Sequence, residues 1–320
     1  MVVRANTSAL RRATIIAVAA CAYSSTAIAK SAHSAASVVG AVLAVPDTEL
    51  DYARAKLAFD RIIDPTADVP PLSSELDHLT KAANDLAGSN ADEHRKLAAV
   101  RQVIYEPGAW NDNRPFIYDP KDPLGRNPHH KLLVDYLTTR QGNCISMPIL
   151  FLILADRMGL KGVALANAPL HDFVRYTDTT GRTFNIETTS GGHVSRDEWY
   201  RQQMPMTDRS VESGIYLRSL TRREAVADMA TTVIDYLLSE KRFGDAIEVS
   251  EVILRNYPHD TYAMVKEGTA YAGLIDQEYA KRYPTSDLIP PSLLPRYQML
   301  NQRNQELFDA AEALGWQPTE

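Results

Sequence analysis

Apolar positions recur at helical spacing from Asp47 onward. Leu50, Ala53, Leu57 and Ile62 share a face and predict a first helix, closed by the prolines of "DPTADVPP". Ser73 or Ser74 caps a second, carrying Leu76, Leu79, Ala83 and Leu86 and stopping at Gly88. Ser89 or Asn90 opens a third through Ile104. "HHKLLVDYLTTR" predicts a short amphipathic helix before Gly142, and the unbroken apolar run over 145–158 a buried one.

The period then changes to two. "GVALANAP" and "HDFVRYTD" read as strands, "TTGR" as a hairpin turn and "TFNIETT" as the returning strand, ended by Gly191 and Gly192. Ser195-Arg196-Asp197-Glu198 reads as a capping box opening a helix with Trp199 and Tyr200. Helices followed by antiparallel strands make an α+β chain.

Helical spacing returns in the last third. A helix over Arg222–Ser239 precedes "KRFGDAIEVSEVILRNYPHD", where Phe243, Ala246, Ile253, Leu254 and Pro258 sit at the spacings of the second half of a tetratricopeptide repeat. Ala270, Tyr271 and Ala280 mark a degenerate partner, and Arg296–Leu314 a closing helix. Two stretches lack a period. Residues 30–45 are small and weakly polar and read as a linker or frayed first element. Residues 105–128 form a long irregular loop whose aromatics, Tyr105, Trp110, Phe116 and Tyr118, argue for packing.

Composition is that of an ordinary globular protein, and a formal charge of −6 on 320 residues gives no basic surface for nucleic acid. The amino-terminal segment does change the picture. Arg4, Arg11 and Arg12 precede a short apolar stretch from Ala13 to about Ala22, and Ala27-Ile28-Ala29 is a small-x-small cleavage signal. Residues 1–29 therefore read as an export signal; losing three arginines and no acid takes the charge to −9. "VAAC", ending at Cys21, is the competing reading, a lipoprotein box with a lipidated cysteine. The expected location is periplasmic or secreted, and no later apolar run is long enough to span a bilayer. The expected organisation is a signal over 1–29, a linker over 30–45, an α+β domain with a helical lead-in over 46–212 and a helical segment over 213–320.

Export gives the cysteines meaning. If Cys21 leaves with the signal, Cys144 is alone in a compartment that oxidises thiols. Cys144 follows the Gly142-Asn143 turn signal and starts the buried helix, where free amides and the helix dipole favour a thiolate. His171 begins a strand 27 residues later, and Glu187 lies 16 further on in the strand that returns beside it. Nucleophile, base and orienting acid can meet in this arrangement. Asn185 shares the strand face of Glu187 and is an alternative orienting group. Neither His129, His130 nor His193 falls in a metal-ligand spacing, so no metal or other cofactor is expected.

Cys, His and acid in this order, with a helix after the Cys and the others on adjacent strands, resemble the transglutaminase-like cysteine enzyme superfamily. "YDPKDPLGRNPHHKLLVDYLTTRQGNCIS", "APLHDFVRY", "FNIETTSGG" and "YLRSLTRREAVADM" resemble its SirB-type branch over roughly residues 60 to 260. Many members of that branch read "GNPIS" where this chain reads "GNCIS", and transglutaminases commonly have Asp where Glu187 stands. The resemblance implies a papain-like core with carboxy-terminal tetratricopeptide-like helices. It further implies acyl transfer or hydrolysis at an amide through a thioester on Cys144, with His171 as base and Glu187 holding the imidazole. A peptide, protein or peptidoglycan-stem substrate suits the compartment. The alternative is an envelope scaffold that keeps the triad as a relic and holds a protein partner on its helices.

Overall fold

The molecule, a computed structural model, is described over residues 34–122 and 125–318; the export signal expected over 1–29, with Cys21, lies outside the described residues. Helices lead the chain: α1 (Ala35–Leu43), α2 (Tyr52–Ile63), α3 (Val69–Ala87) and α4 (Glu93–Tyr105). The stretch expected as a linker thus contains α1. Ser34 caps it by accepting from the Ser37 N–H at 3.1 Å, and Val39 and Leu43 enter the core. Small residues hid this helix, because alanine and glycine give little apolar contrast around a turn.

Asp51 caps α2 through the Arg54 N–H at 2.7 Å. The next helix begins at Val69 rather than at Ser73 or Ser74, because Pro70 and Pro71 occupy first-turn positions that need no N–H donor. Similarly, Asp92 and not Ser89 or Asn90 caps α4, accepting from Arg95 at 2.8 Å.

A two-residue parallel pair follows, β1 (Ile117–Tyr118) against β2 (Gln141–Gly142), with α5 (Leu133–Thr139) between them. It ties the irregular loop to the segment that leads into Cys144, and Phe116 and Asn111 are buried beneath it. Then α6 (Ser146–Arg157) crosses the middle of the molecule, buried on every side from Ser146 to Ala155. The antiparallel sheet runs in the order β3 (Val163–Ala168), β4 (His171–Thr177), β5 (Thr183–Glu187), β6 (His193–Ser195). The fold is the expected α+β arrangement.

Beyond the sheet come α7 (Asp197–Gln203), α8 (Asp208–Glu212), α9 (Arg222–Met229), α10 (Thr231–Ser239), α11 (Phe243–Asn256), α12 (Thr261–Ile275) and α13 (Leu294–Ala313). The box expected at Ser195 is absent: the Ser195 hydroxyl donates to the Tyr200 phenol at 3.2 Å, and α7 starts without a side-chain cap. The helix expected over Arg222–Ser239 is broken at Ala230 into α9 and α10. One apolar core runs from Ala35 to Ala270 and so crosses residue 212, where the sequence placed a division. A smaller cluster joins Phe173, Tyr200 and Ile215 behind the sheet.

Candidate active site

Cys144 is placed by the residue before it. The Asn143 carbonyl accepts from Met147 N–H at 3.0 Å, the first helical bond. Its Oδ1 accepts from the N–H groups of Ile145 at 2.9 Å and Ser146 at 3.4 Å, while Ser146 Oγ accepts from the Asn143 N–H at 3.2 Å. This reciprocal pair caps the helix three residues ahead of Ser146 and leaves Cys144 in the first turn, where backbone amides have no helical partner. Gly142 makes the cap fit: a Cβ there would stand 2.6 Å from both Ser146 Oγ and the Tyr136 ring.

Pro169 and Leu170 connect β3 to β4, with Leu170 in the left-handed region at φ 55°. That costs a branched residue roughly 1 kcal/mol, and the turn sets the Leu170 carbonyl over the site, where the Cys144 thiol donates to it at 3.7 Å. His171 is the first residue past the turn. Its Nε2 lies 2.8 Å from Glu187 Oε2 on β5, and its ring lines the same cleft as Cys144. With Nε2 engaged by the carboxylate, Nδ1 is the nitrogen left for another partner.

Glu187 is 4% exposed and fully committed. Oε1 accepts from the Thr189 N–H at 2.9 Å and its hydroxyl at 2.6 Å; Oε2 takes His171 and the Tyr200 phenol, at 2.9 Å. Burial disfavours its charge, but the His171 hydrogen bond and charge and the Thr189 donors outweigh burial and hold the pKa below the usual carboxylate range. Burial likewise opposes a charge on His171. Hydrogen bonds with Cys144 and Glu187, and their negative charge, prevail and raise its pKa to about 10. The arrangement therefore favours imidazolium beside the Glu187 carboxylate, which makes His171 a ready proton donor.

All three residues that the sequence singled out meet here. Asn185, the alternative orienting group, does not: it donates to Asp197 Oδ1 at 2.7 Å, beside the Arg175–Asp197 ion pair. Three residues that sequence reasoning missed also belong to the site. Asn143 followed by Ser146 carries a capping signal that a turn reading obscured. Tyr118 comes from the irregular loop; burial first, then the charge of Cys144, raises its phenol pKa. Tyr200 arrives from α7 and stacks on Phe173 with ring centres 4.2 Å apart, a contact no local pattern announces. Cys144 and His171 line a cleft of about 200 Å³ together with Tyr216, Asp260 and Trp316 of the carboxy-terminal half.

Residues 71–231 match the profile of the transglutaminase-like superfamily. The chain is 24% identical over 208 residues to a UPF0162 protein of Buchnera aphidicola subsp. Acyrthosiphon pisum, covering 63% of this chain and 72% of that one. It is 23% identical over 204 residues to Protein SirB1 of Salmonella typhimurium, covering 62% and 71% respectively. No solved structure matches.

Proposed function

The chain belongs to the transglutaminase-like superfamily, and from that premise we propose that it is an exported thiol enzyme that transfers or hydrolyses the acyl group of a peptide-type amide. The observation that carries this reading is that Cys144 and His171 line one cleft while His171 is bonded to a buried, four-times hydrogen-bonded Glu187.

In the proposed reaction the Cys144 thiolate attacks the amide carbonyl carbon, and the carbonyl electron pair moves onto oxygen. The Cys144 N–H in the first helical turn and the nearby Tyr118 phenol are the donors assigned to that oxyanion. The C–N bond then breaks as His171 gives its proton to the leaving nitrogen, leaving a thioester. Water or an amine, deprotonated by His171, attacks the thioester and releases the thiolate. Glu187 stays ionised throughout and keeps Nδ1 aimed at sulfur. Export follows from the amino-terminal signal and places the substrate in the cell envelope or outside it.

The test is intact-protein mass spectrometry after incubation with envelope peptide extract and acid quench. An acyl adduct on Cys144 is expected, absent in Cys144→Ala and slow to form in His171→Ala. No adduct, together with a thiol that alkylates at the rate of free cysteine, would refute the reading.

A further inference from the structure

The cleft takes part of its lining from far along the sequence. Ile215, Tyr216 and Trp316 line it together with Cys144 and His171, and Trp316 lies well beyond the residues that match the family profile. How Trp316 comes to stand there is written in "ALGWQP", residues 313–318. Gly315, at φ 96°, ends α13: its N–H donates to the Glu312 carbonyl at 2.8 Å, and the Trp316 N–H donates to the Ala311 carbonyl at 3.1 Å. These two bonds make a Schellman turn with glycine at its left-handed position, and Pro318 soon after prevents the helix from resuming. The turn brings the Trp316 ring back onto α13, tilted against Phe308 with ring centres 6.0 Å apart.

The short helix α8 and its flanks fasten that turn. Arg209 Nε donates to the Ala313 carbonyl at 3.2 Å, Ser213 Oγ to that of Leu314 at 2.6 Å and Thr207 Oγ1 to that of Gly315 at 2.9 Å. Carbonyls at a helix end have no partner within the helix, so these donors complete α13 from outside. The approach is so close that a Cβ on Gly315 would stand 2.4 Å from the Ser210 nitrogen. The same helix holds the other part of the lining, because the Ser210 carbonyl accepts from the N–H groups of Ile215 at 3.1 Å and Tyr216 at 3.4 Å. Leu314 and Trp316 strengthen the join by packing against both the cluster behind the sheet and the apolar cluster of α12 and α13.

The chemistry of the lining says what this surface meets. Ala168, Leu170, Ile215, Tyr216 and Trp316 contribute apolar area. The acids of the lining are engaged within the chain: Asp235 pairs with Lys131 at 2.6 Å, Asp172 and Asp228 bond to each other and to the Asn167 amide, and Asp260 caps α12. A volume of about 200 Å³ has room for one ring-bearing group, since an apolar cavity of about 150 Å³ takes up benzene.

We propose that Trp316, held in place by α8, is a specificity-determining residue that receives an apolar, ring-sized side chain carried by the substrate next to its scissile amide. The inference rests on the reading of Cys144 as the reacting thiol, and it adds the substrate class: a peptide segment with a bulky apolar or aromatic residue beside the amide. The helices after the sheet are then part of the catalytic cleft, with α8 as the clasp that joins them to it.

The probes are benzyl and methyl methanethiosulfonate, each of which forms a disulfide with Cys144 and releases methanesulfinate, with the rate of modification in the full chain followed by mass spectrometry. Relative to free cysteine, the benzyl reagent is expected to gain about tenfold or more over the methyl one, which corresponds to about 1.4 kcal/mol. Trp316→Ala should cut that preference severalfold, and Trp316→Phe, which keeps a ring at the position, should retain most of it. Gly315→Ala leaves the tryptophan in the chain but forces the turn away from Ser210, and should lower the preference as Trp316→Ala does. Ser213→Ala removes one of the three fastenings and should lower it by less. Thermal unfolding checks that each variant is folded, and Glu240→Gln, exposed and outside the cleft, should leave the preference unchanged. The wild-type ratio needs no substitution and stands even where a variant does not fold. A ratio equal to that of free cysteine overturns the subsite. So does a ratio left intact in Trp316→Ala, including one in which both rates rise together because the ring had only covered the thiol. An intact ratio in Gly315→Ala overturns the clasp. The methyl reagent reports the nucleophile separately: a slow rate with it counts against the proposed function, while the benzyl-to-methyl ratio still judges the subsite.

Discussion

His171 Nε2 and Glu187 Oε2 stand 2.8 Å apart, and that one contact decides which ring nitrogen is left for Cys144. Glu187→Gln keeps the size of the side chain and an acceptor for Thr189 but removes the charge that holds His171 protonated. The His171 pKa, raised to about 10 in the intact site, should fall, and the thiolate should lose its partner. Each pKa unit is a factor of ten in protonation, so Cys144 alkylation at pH 6 is expected to slow about tenfold or more. Iodoacetamide rates across pH measure this, and a superimposable profile would detach Glu187 from the pair.

The second donor to the same oxygen is the Tyr200 phenol at 2.9 Å. Tyr200→Phe keeps the ring stacked on Phe173 and deletes only the hydroxyl, which also accepts from Ser195. One buried hydrogen bond of this type is worth about 0.5–1.5 kcal/mol. Denaturant unfolding should show a loss of that order, with a thiol profile shifted in the direction of Glu187→Gln but by less. A larger kinetic effect than that of Glu187→Gln would mean that Tyr200 contacts the reacting groups directly.

Two substitutions at Asn143 should separate stability from reactivity. Asn143→Ala removes the acceptor for Ile145 and Ser146 and should cost about 0.5–2 kcal/mol, as lost helix caps do. Asn143→Asp keeps the cap and suits the helix dipole, so stability should hold. It also sets a negative charge next to Cys144, which opposes a thiolate and should raise the thiol pKa. Thermal unfolding read beside thiol titration makes the comparison; equal thiol titration in Asp and Asn proteins would show that the helix start does not tune Cys144.

Much of this site was legible because it obeys local periods. The apolar run after Cys144 announced the buried helix, and period two on either side of "TTGR" put His171 and Glu187 on neighbouring strands. Their meeting needed no more than a hairpin. What escaped depends on contacts far apart in sequence. Tyr200 reaches Glu187 from a helix beyond the sheet, and Asp172, Asp228 and Asp260 come from three separate elements. Elsewhere two strong local signals competed. Serines at 73 and 74 were outweighed by prolines tolerated in a first turn, and Ser195 formed a side-chain bond in place of a cap.

Asp172 and Asp260, both buried on the lining of the cleft, should also appear in the pH dependence of stability. A carboxyl whose pKa is raised by folding favours the protonated form in the folded state. Its contribution is full below the unfolded value, near 4, and is lost as pH rises through the folded value, about 6 for Asp172 and about 7 for Asp260. Glu187 has the opposite sign, since its lowered pKa contributes above the unfolded value and is lost only on acidification. His171 shares the sign of the aspartates but in a higher window, from about 6.5 to about 10. Between pH 4 and 7 the aspartate term is therefore read by comparing wild type with Asp260→Asn, since Lys131, His171 and His259 line the same cleft in both proteins. The two should have similar urea midpoints near pH 4, and the variant should become the more stable one as pH approaches 8. A constant difference across that range would mean that Asp260 folds with an ordinary carboxyl, against the rise that burial imposes on it.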